Sequence, residues 1–238
     1  MKILNKIIDI NLKELESNLI EIIKEGINDL DSINIKSDNS IVTNCDIHIE
    51  KNLIIYLKKK FPKIDIISEE HEKSHKKTYK LKNRFAIIDP IDGTENFYFF
   101  QNIYGCAISI VYDEIDYHLI YLPYENKKIS TISNPIKTIK QSNIELYSTS
   151  CLGLINVKED RQSKRVLGSS SFMFYIILSS AAKSYKYCGK AKIWDYYTGI
   201  SLVLKSNLNL KVTFGKTTIK DLPISIPHKC NFLIETDE

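Results

Sequence analysis

The chain has 238 residues, 43% of them hydrophobic and 26% charged, with a net charge of +4 at pH 7. Those fractions are globular averages; they exclude a fibrous or disordered protein and leave no stretch of membrane-spanning length; the length alone allows one large domain or two small ones, and a single domain over residues 1–238 is the expectation. The lysines are scattered, with short knots at Lys58-Lys59-Lys60 and Lys76-Lys77 but no arginine-rich or aromatic-interleaved stripe, which argues against nucleic acid as a partner other than as a nucleotide substrate.

Apolar residues recur at helical spacing from Asn5 to about Leu30 (Ile8, Leu12, Leu15, Leu19, Ile23, Ile27), which predicts a long amphipathic helix. Asp9, Lys13 and Glu14 interrupt that run as they would interrupt a signal peptide, so a cytoplasmic protein is expected. A second helix is predicted over Ile47 to Lys60, ended by Phe61-Pro62. Ile64 to Ile67 and Phe85 to Ile88 read as short buried strands, and the polar stretch from His71 to Lys80 between them as a surface loop. Ala107 to Tyr112 and His118 to Leu122 flank an acidic turn and predict a β-hairpin, with a third strand around Ile129 to Ile132. Helices are predicted over Phe172 to Lys183 and Tyr196 to Lys205. Helices bracketing consecutive antiparallel strands point to a layered α+β domain rather than a doubly wound parallel sheet. The five cysteines, Cys45, Cys106, Cys151, Cys188 and Cys230, are odd in number, dispersed and never in a C-x-x-C pair, which reads as reduced thiols.

Acids stand where apolar segments end: Asp46 after Ile41-Val42-Thr43, Glu69 and Glu70 after Ile66-Ile67-Ser68, Asp89 after Phe85 to Ile88, Asp92 three residues on, and Asp195 after Trp194. If those ends meet, repulsion and desolvation forbid the cluster unless cations neutralise it, and hard oxygen donors select magnesium. Within Asp89-Pro90-Ile91-Asp92-Gly93-Thr94, proline stiffens the strand exit, Gly93 lets backbone approach a ligand, and the Gly93 and Thr94 amides opening a helical turn would suit a phosphate. Thr94 beside a base such as Asp46 would orient a water. Each segment also has a plain reading: Asp89 to Thr94 alone is an ordinary turn, and Trp194-Asp195 a core indole before a helix N-cap.

Taken together and in this order, the motifs resemble the inositol monophosphatase superfamily of magnesium-dependent, lithium-sensitive phosphatases. Asp89 to Thr94 with Asn96-Phe97 is similar to its D-P-x-D-G-T-x-N-F signature, Val42-Thr43 with Asp46 to V-T-x-x-D, Ser68-Glu69-Glu70 to [GS]-E-E, and Trp194-Asp195 with Gly199 to W-D-x-x-x-G; Arg165 to Ser169 is a weaker echo. The resemblance implies the α-β-α-β-α sandwich of sugar phosphatases, a homodimer, and roughly two or three Mg2+ ions inhibitable by Li+. It implies Glu69, Asp89, Asp92, Asp195 and the Ile91 carbonyl as metal ligands, Asp46 and Thr94 as the water-activating pair, and the Gly93 and Thr94 amides as the phosphate site.

The chain departs from the family pattern at Ala182-Lys183-Ser184-Tyr185, at Ser206-Asn207-Leu208 and near Cys188, where inositol-specific members carry a glutamate. These positions border the wall that would meet the alcohol part of a substrate. The expected activity is hydrolysis of a small phosphorylated metabolite. The alternatives are a 3'(2'),5'-bisphosphate nucleotidase, whose acidic pair is often written S-E-E, and a low-activity regulatory or RNA- or protein-binding member of the fold.

Overall fold

In the computed structural model, residues 2–28, 32–37, 39–71, 78–81, 83–133, 142–155, 163–223 and 225–237 are described. The first half builds α1 (Lys2–Gly26), β1 (Ile33–Ile35), β2 (Ile41–Thr43), α2 (Asn44–Lys60), β3 (Asp65–Ser68), β4 (Thr78–Lys80), β5 (Arg84–Asp92), α3 (Thr94–Phe100), β6 (Gly105–Tyr112), β7 (Ile115–Leu122) and β8 (Lys127–Ser130). The second half adds β9 (Ile144–Tyr147), a 3₁₀ turn over Thr149–Leu154, β10 (Ser163–Arg165), α4 (Ser170–Leu178), β11 (Ser184–Lys192), α5 (Ile193–Lys205), β12 (Leu210–Phe214), β13 (Thr217–Ile219), β14 (Ser225–Pro227) and β15 (Lys229–Thr236).

The two large sheets explain the layering. One is five-stranded in the order β3-β5-β6-β7-β8; the other is six-stranded in the order β10-β9-β11-β15-β12-β13. Along β5 the side chains alternate between two cores, as a pleated strand buried on both faces must. Ala86, Ile88 and Ile91 face a cluster with Leu15, Leu19 and Ile23 of α1 and Ile49, Leu53 and Leu57 of α2. Phe85 and Ile87 face the other cluster, with Phe174 and Ile177 of α4, Trp194, Tyr197 and Ile200 of α5, and Phe232 and Ile234 of β15. The layers therefore run α1/α2, first sheet, α4/α5, second sheet; the 3₁₀ turn packs against β11 and β9. Among the described residues no helix is long and apolar enough to cross a membrane.

The structure corrects several expectations. Thr78 to Lys80 is not loop but β4, paired antiparallel with β14, because Tyr79 is driven into the core beside Ile226; residues 72–77 of the expected loop lie outside the described residues. The helix expected to reach Lys183 ends at Leu178, where Ser180 turns left-handed (φ 59°) and Ala182 enters the core. The last helix begins at Ile193, ahead of Asp195 rather than behind it. The cysteines are not all thiols: Cys151 of the 3₁₀ turn and Cys188 of β11 form a disulfide, their Cα atoms 5.1 Å apart although 37 residues separate them in sequence.

Candidate active site

The Asp-Pro-Ile-Asp segment owes its chemistry to a β-bulge. On β5, Asp89 pairs with Ala107 of β6 and Asp92 with Gly105, so three steps on one strand oppose two on its neighbour. In a regular strand Asp89 and Asp92 would point to opposite faces; the extra residue brings them to the same side. Pro90, which has no N–H to offer a ladder, sits in the irregularity, and its carbonyl accepts from the Cys106 thiol at 2.7 Å.

The chain then leaves the sheet through Gly93, whose φ of 88° favours glycine. An added Cβ would also lie 2.9 Å from Ser169 Cβ. Phe97 N–H closes the first turn of α3 on the Gly93 carbonyl at 2.9 Å, so the amides ahead of it have no acceptor within the helix. Asn96 Nδ2 donates to the Ile103 carbonyl (2.9 Å) and the Leu167 carbonyl (2.7 Å), which ties the motif to the chain entering α4.

Four further segments converge on this one. At the start of α2, Thr43 and Asp46 form a capping box: Asp46 Oδ2 accepts from the Thr43 N–H (2.8 Å) and hydroxyl (2.5 Å). The other Asp46 oxygen lies 3.3 Å from Thr94 Oγ1, and the same hydroxyl lies 3.0 Å from the Ile91 carbonyl. Burial pushes the Asp46 carboxyl up to about 6. At the end of β3, Glu50 of α2 accepts from Ser68 Oγ (2.5 Å) and Glu70 N–H (2.9 Å), which fixes the turn carrying Glu69 and Glu70.

From α5, Asp195 Oδ2 accepts the Lys192 N–H at 2.8 Å, so Lys192 and not Asp195 is the N-cap residue. From α4, Ser169 Oγ (2.8 Å) and the Ser171 N–H both donate to Asp92 Oδ2.

The electrostatics are those of crowded acids. Asp46 and Asp89 are each 1% exposed and Asp92 is 9% exposed. Burial, then Glu69, Asp92, Asp195 and Asp46 in that order, raise the Asp89 carboxyl well above the ordinary range. Burial, with Glu69 and Asp92, carries Asp195 to about 8, and burial with Glu69 carries Glu70 to about 7. Asp89 Oδ1 is buried with no hydrogen-bond partner among the described residues.

Glu69 faces two ammonium groups: Lys36 Nζ lies 3.4 Å and Lys192 Nζ 3.3 Å from its Oε1, and Lys36 pairs with Glu70 at 2.5 Å. Among the described residues, no three Asp, Glu, His or Cys side chains are grouped to hold an ion as they stand. The donor set nevertheless has the chemistry of a hard-cation site: carboxylates from three segments, an unpartnered buried oxygen at its centre, and a carbonyl at Ile91 with a lone pair to spare.

Glu69, Asp92, Asp195 and Asp46 thus lie around Asp89, and Thr94 lies against Asp46 and the Ile91 carbonyl. Lys36, Lys192, Glu50 and Tyr187, whose hydroxyl lies 3.5 Å from Asp195 Oδ2, carry no local signature. Ser169 and Ser171 do, since Gly168-Ser169 before an apolar run is a helix-start signal.

The sequence profile of the inositol monophosphatase family matches residues 4–206. The chain belongs to the inositol monophosphatase family. Inositol monophosphatase 1 of Sus scrofa is 34% identical over 109 residues, a segment covering 45% of this chain; the match spans 39% of the curated relative's length. Among solved structures, a staphylococcal inositol monophosphatase-1 superposes with a TM-score of 0.74 at 17% identity, covering 97% of this chain and 90% of its own. An IMPase/NADP phosphatase complexed with NADP and Ca2+ superposes with a TM-score of 0.74 at 19% identity, covering 97% and 91%. At those identities the likeness is one of fold, and it places this family member among layered phosphatase structures.

Proposed function

We propose that this family member is a magnesium-dependent phosphomonoesterase acting on a small phosphorylated metabolite, with inositol phosphates as the first substrate class. The observation that carries the reading is Asp89: a buried carboxylate with one unpartnered oxygen, surrounded by Glu69, Asp92, Asp195 and Asp46. Such a cluster is costly without cations and suited to them.

Glu69, Asp89, Asp92, Asp195 and the Ile91 carbonyl would hold the metal, which when bound supplies Lewis acidity and neutralises the charge on the phosphate. The remaining work falls to the chain itself. Thr94 Oγ1 accepts from the attacking water while donating to Asp46 Oδ1, 3.3 Å away, and Asp46 takes the proton. The Thr43 hydroxyl and amide fix the other Asp46 oxygen and so orient this base. The Gly93 and Thr94 amides bind the phosphate, which the left-handed Gly93 makes room to approach. Assembly as a homodimer belongs to the same reading, and sedimentation velocity checks it.

A nucleotide phosphate is the second substrate class, favoured by the Ser68-Glu69-Glu70 motif and by likeness to an IMPase/NADP phosphatase. Phosphate release from inositol 1-phosphate and from adenosine 3',5'-bisphosphate, with magnesium and with lithium added, separates the two. Release from neither, or release that survives Asp92→Asn, sinks the reading.

A further inference from the structure

Lys192 touches two of the proposed metal ligands at once. Its backbone N–H donates to Asp195 Oδ2 at 2.8 Å, and its Nζ lies 3.3 Å from Glu69 Oε1. Nζ lies over the Trp194 ring, 5.6 Å from its centroid, and the side chain is 25% exposed. Because Lys192 is the N-cap residue of α5, its backbone is fixed by the same turn that presents Asp195.

Lys36 also approaches Glu69, but its shorter contact, 2.5 Å, is with Glu70, so the two ammonium groups are not equivalent. Lys36 has a carboxylate of its own. Lys192 directs its ammonium at the one glutamate proposed to bind metal.

We infer that Lys192 is a tethered cation that competes with a divalent metal for Glu69 and thereby sets the metal affinity of the site. The inference rests on the reading of Glu69 as a metal ligand. An ammonium and a divalent cation both need the Glu69 oxygens. At this separation they also repel each other, so binding metal requires the Lys192 head group to swing out along its flexible four-carbon stem. Glu69 thereby keeps a cationic partner with or without metal, at the expense of weaker metal binding.

The test is direct metal binding to the full chain, stripped with chelator, by titration calorimetry with Mg2+ and by electron paramagnetic resonance with Mn2+. Lys192→Met should tighten both dissociation constants about fivefold, the upper end of the scale for one partly exposed ion pair. Lys192→Arg should stay within about twofold of wild type, because the charge is kept. Lys60→Met, which removes an exposed lysine paired with Glu14 outside the site, serves as control and should change nothing. Thermal unfolding of each variant, with Lys192→Gln as a second neutral replacement, guards against a misfolded sample. A double-mutant cycle adds a second readout: on a Glu69→Gln background the gain from Lys192→Met should vanish. An unchanged or weaker dissociation constant in both neutral variants overturns this inference alone. A wild-type chain that binds no divalent cation overturns the proposed function and this inference with it.

Discussion

Ser169 Oγ donates to Asp92 Oδ2 at 2.8 Å while accepting the Phe172 N–H at 3.1 Å, so one hydroxyl both caps α4 and holds a carboxylate of the β5 bulge. Ser169→Ala should therefore cost about 1 kcal/mol of stability, the usual worth of an N-cap. It should also lower turnover about tenfold by leaving Asp92 less firmly placed. Urea unfolding and steady-state kinetics measure the two effects separately; a stability loss with turnover unchanged would show the contact to be a helix cap and nothing more.

Thr94 and Asp46 are expected to act as a pair. Thr94→Ala and Asp46→Asn should each lower kcat by about a hundredfold or more. The double variant should lose little beyond either single change. Thr94→Ser keeps the hydroxyl and should restore most of the rate. Additive losses in the double variant would separate the two residues.

The crowded carboxyls give the metal-free chain an unusual pH dependence. Burial lifts Asp46 to about 6, and burial with Glu69 lifts Glu70 to about 7 and Asp195 to about 8, all above the values the same groups have unfolded. Between the unfolded and folded values the folded chain holds more protons. The stability these groups contribute is therefore fully present below about pH 4 and is lost as pH rises through 6 to 8, at up to about 1.4 kcal/mol per pH unit per group. In the presence of a chelator the urea midpoint should fall between pH 5 and pH 9. Magnesium should remove most of that fall, since it favours the ionised forms. A flat profile in chelator would contradict the clustering.

The five cysteines divide into one bonded pair and three thiols, Cys45, Cys106 and Cys230. Under denaturing, non-reducing conditions, thiol titration should count the three, and the intact mass should lie about 2 Da below that of the reduced chain, two hydrogens being lost per disulfide. A loop of this length corresponds to roughly 3–4 kcal/mol in the chain-entropy view, so Cys188→Ser should lower the unfolding midpoint measurably. Five reactive thiols would restore the reading made from the sequence.

What the sequence discloses and what it conceals follow the range of the interactions involved. The signature residues sit at element ends in local patterns, so Asp46, Glu69, Asp89, Asp92, Thr94 and Asp195 could be picked out before any fold was known. That they meet depends on the β5 bulge, which a run of nine residues read as strand then turn does not announce. Cys151 and Cys188 are joined only because the 3₁₀ turn packs on β11, a contact between segments 37 residues apart with no shared motif. Lys36 and Lys192 look like solvated lysines in a lysine-rich chain; what singles them out is their distance to Glu69, which is a tertiary fact. The strands after Lys205 carry no clear sequence signal for a similar reason. Leu210 to Phe214 and Lys229 to Thr236 mix charged with apolar residues, and they become strands by pairing with each other and with β11.

Gly199, the last residue of the Trp-Asp motif, makes the final case. It lies in the second turn of α5, fully enclosed, and an added Cβ would fall 2.2 Å from the Phe174 ring of α4. Phe174 is itself locked between Tyr185, whose centroid is 5.2 Å away, and Phe232, at 5.6 Å, so it has no room to retreat. The glycine is required by close helix packing rather than by ligand contact. Gly199→Ala should lower stability by about 1–3 kcal/mol, the range for overpacking a close-packed core. Metal affinity measured well below the unfolding temperature should change by less than about threefold if the two helices separate without moving Asp195. A variant as stable as wild type would show that α4 and α5 can part at no cost, and the tight crossing that places Asp195 beside Asp92 would then need another explanation.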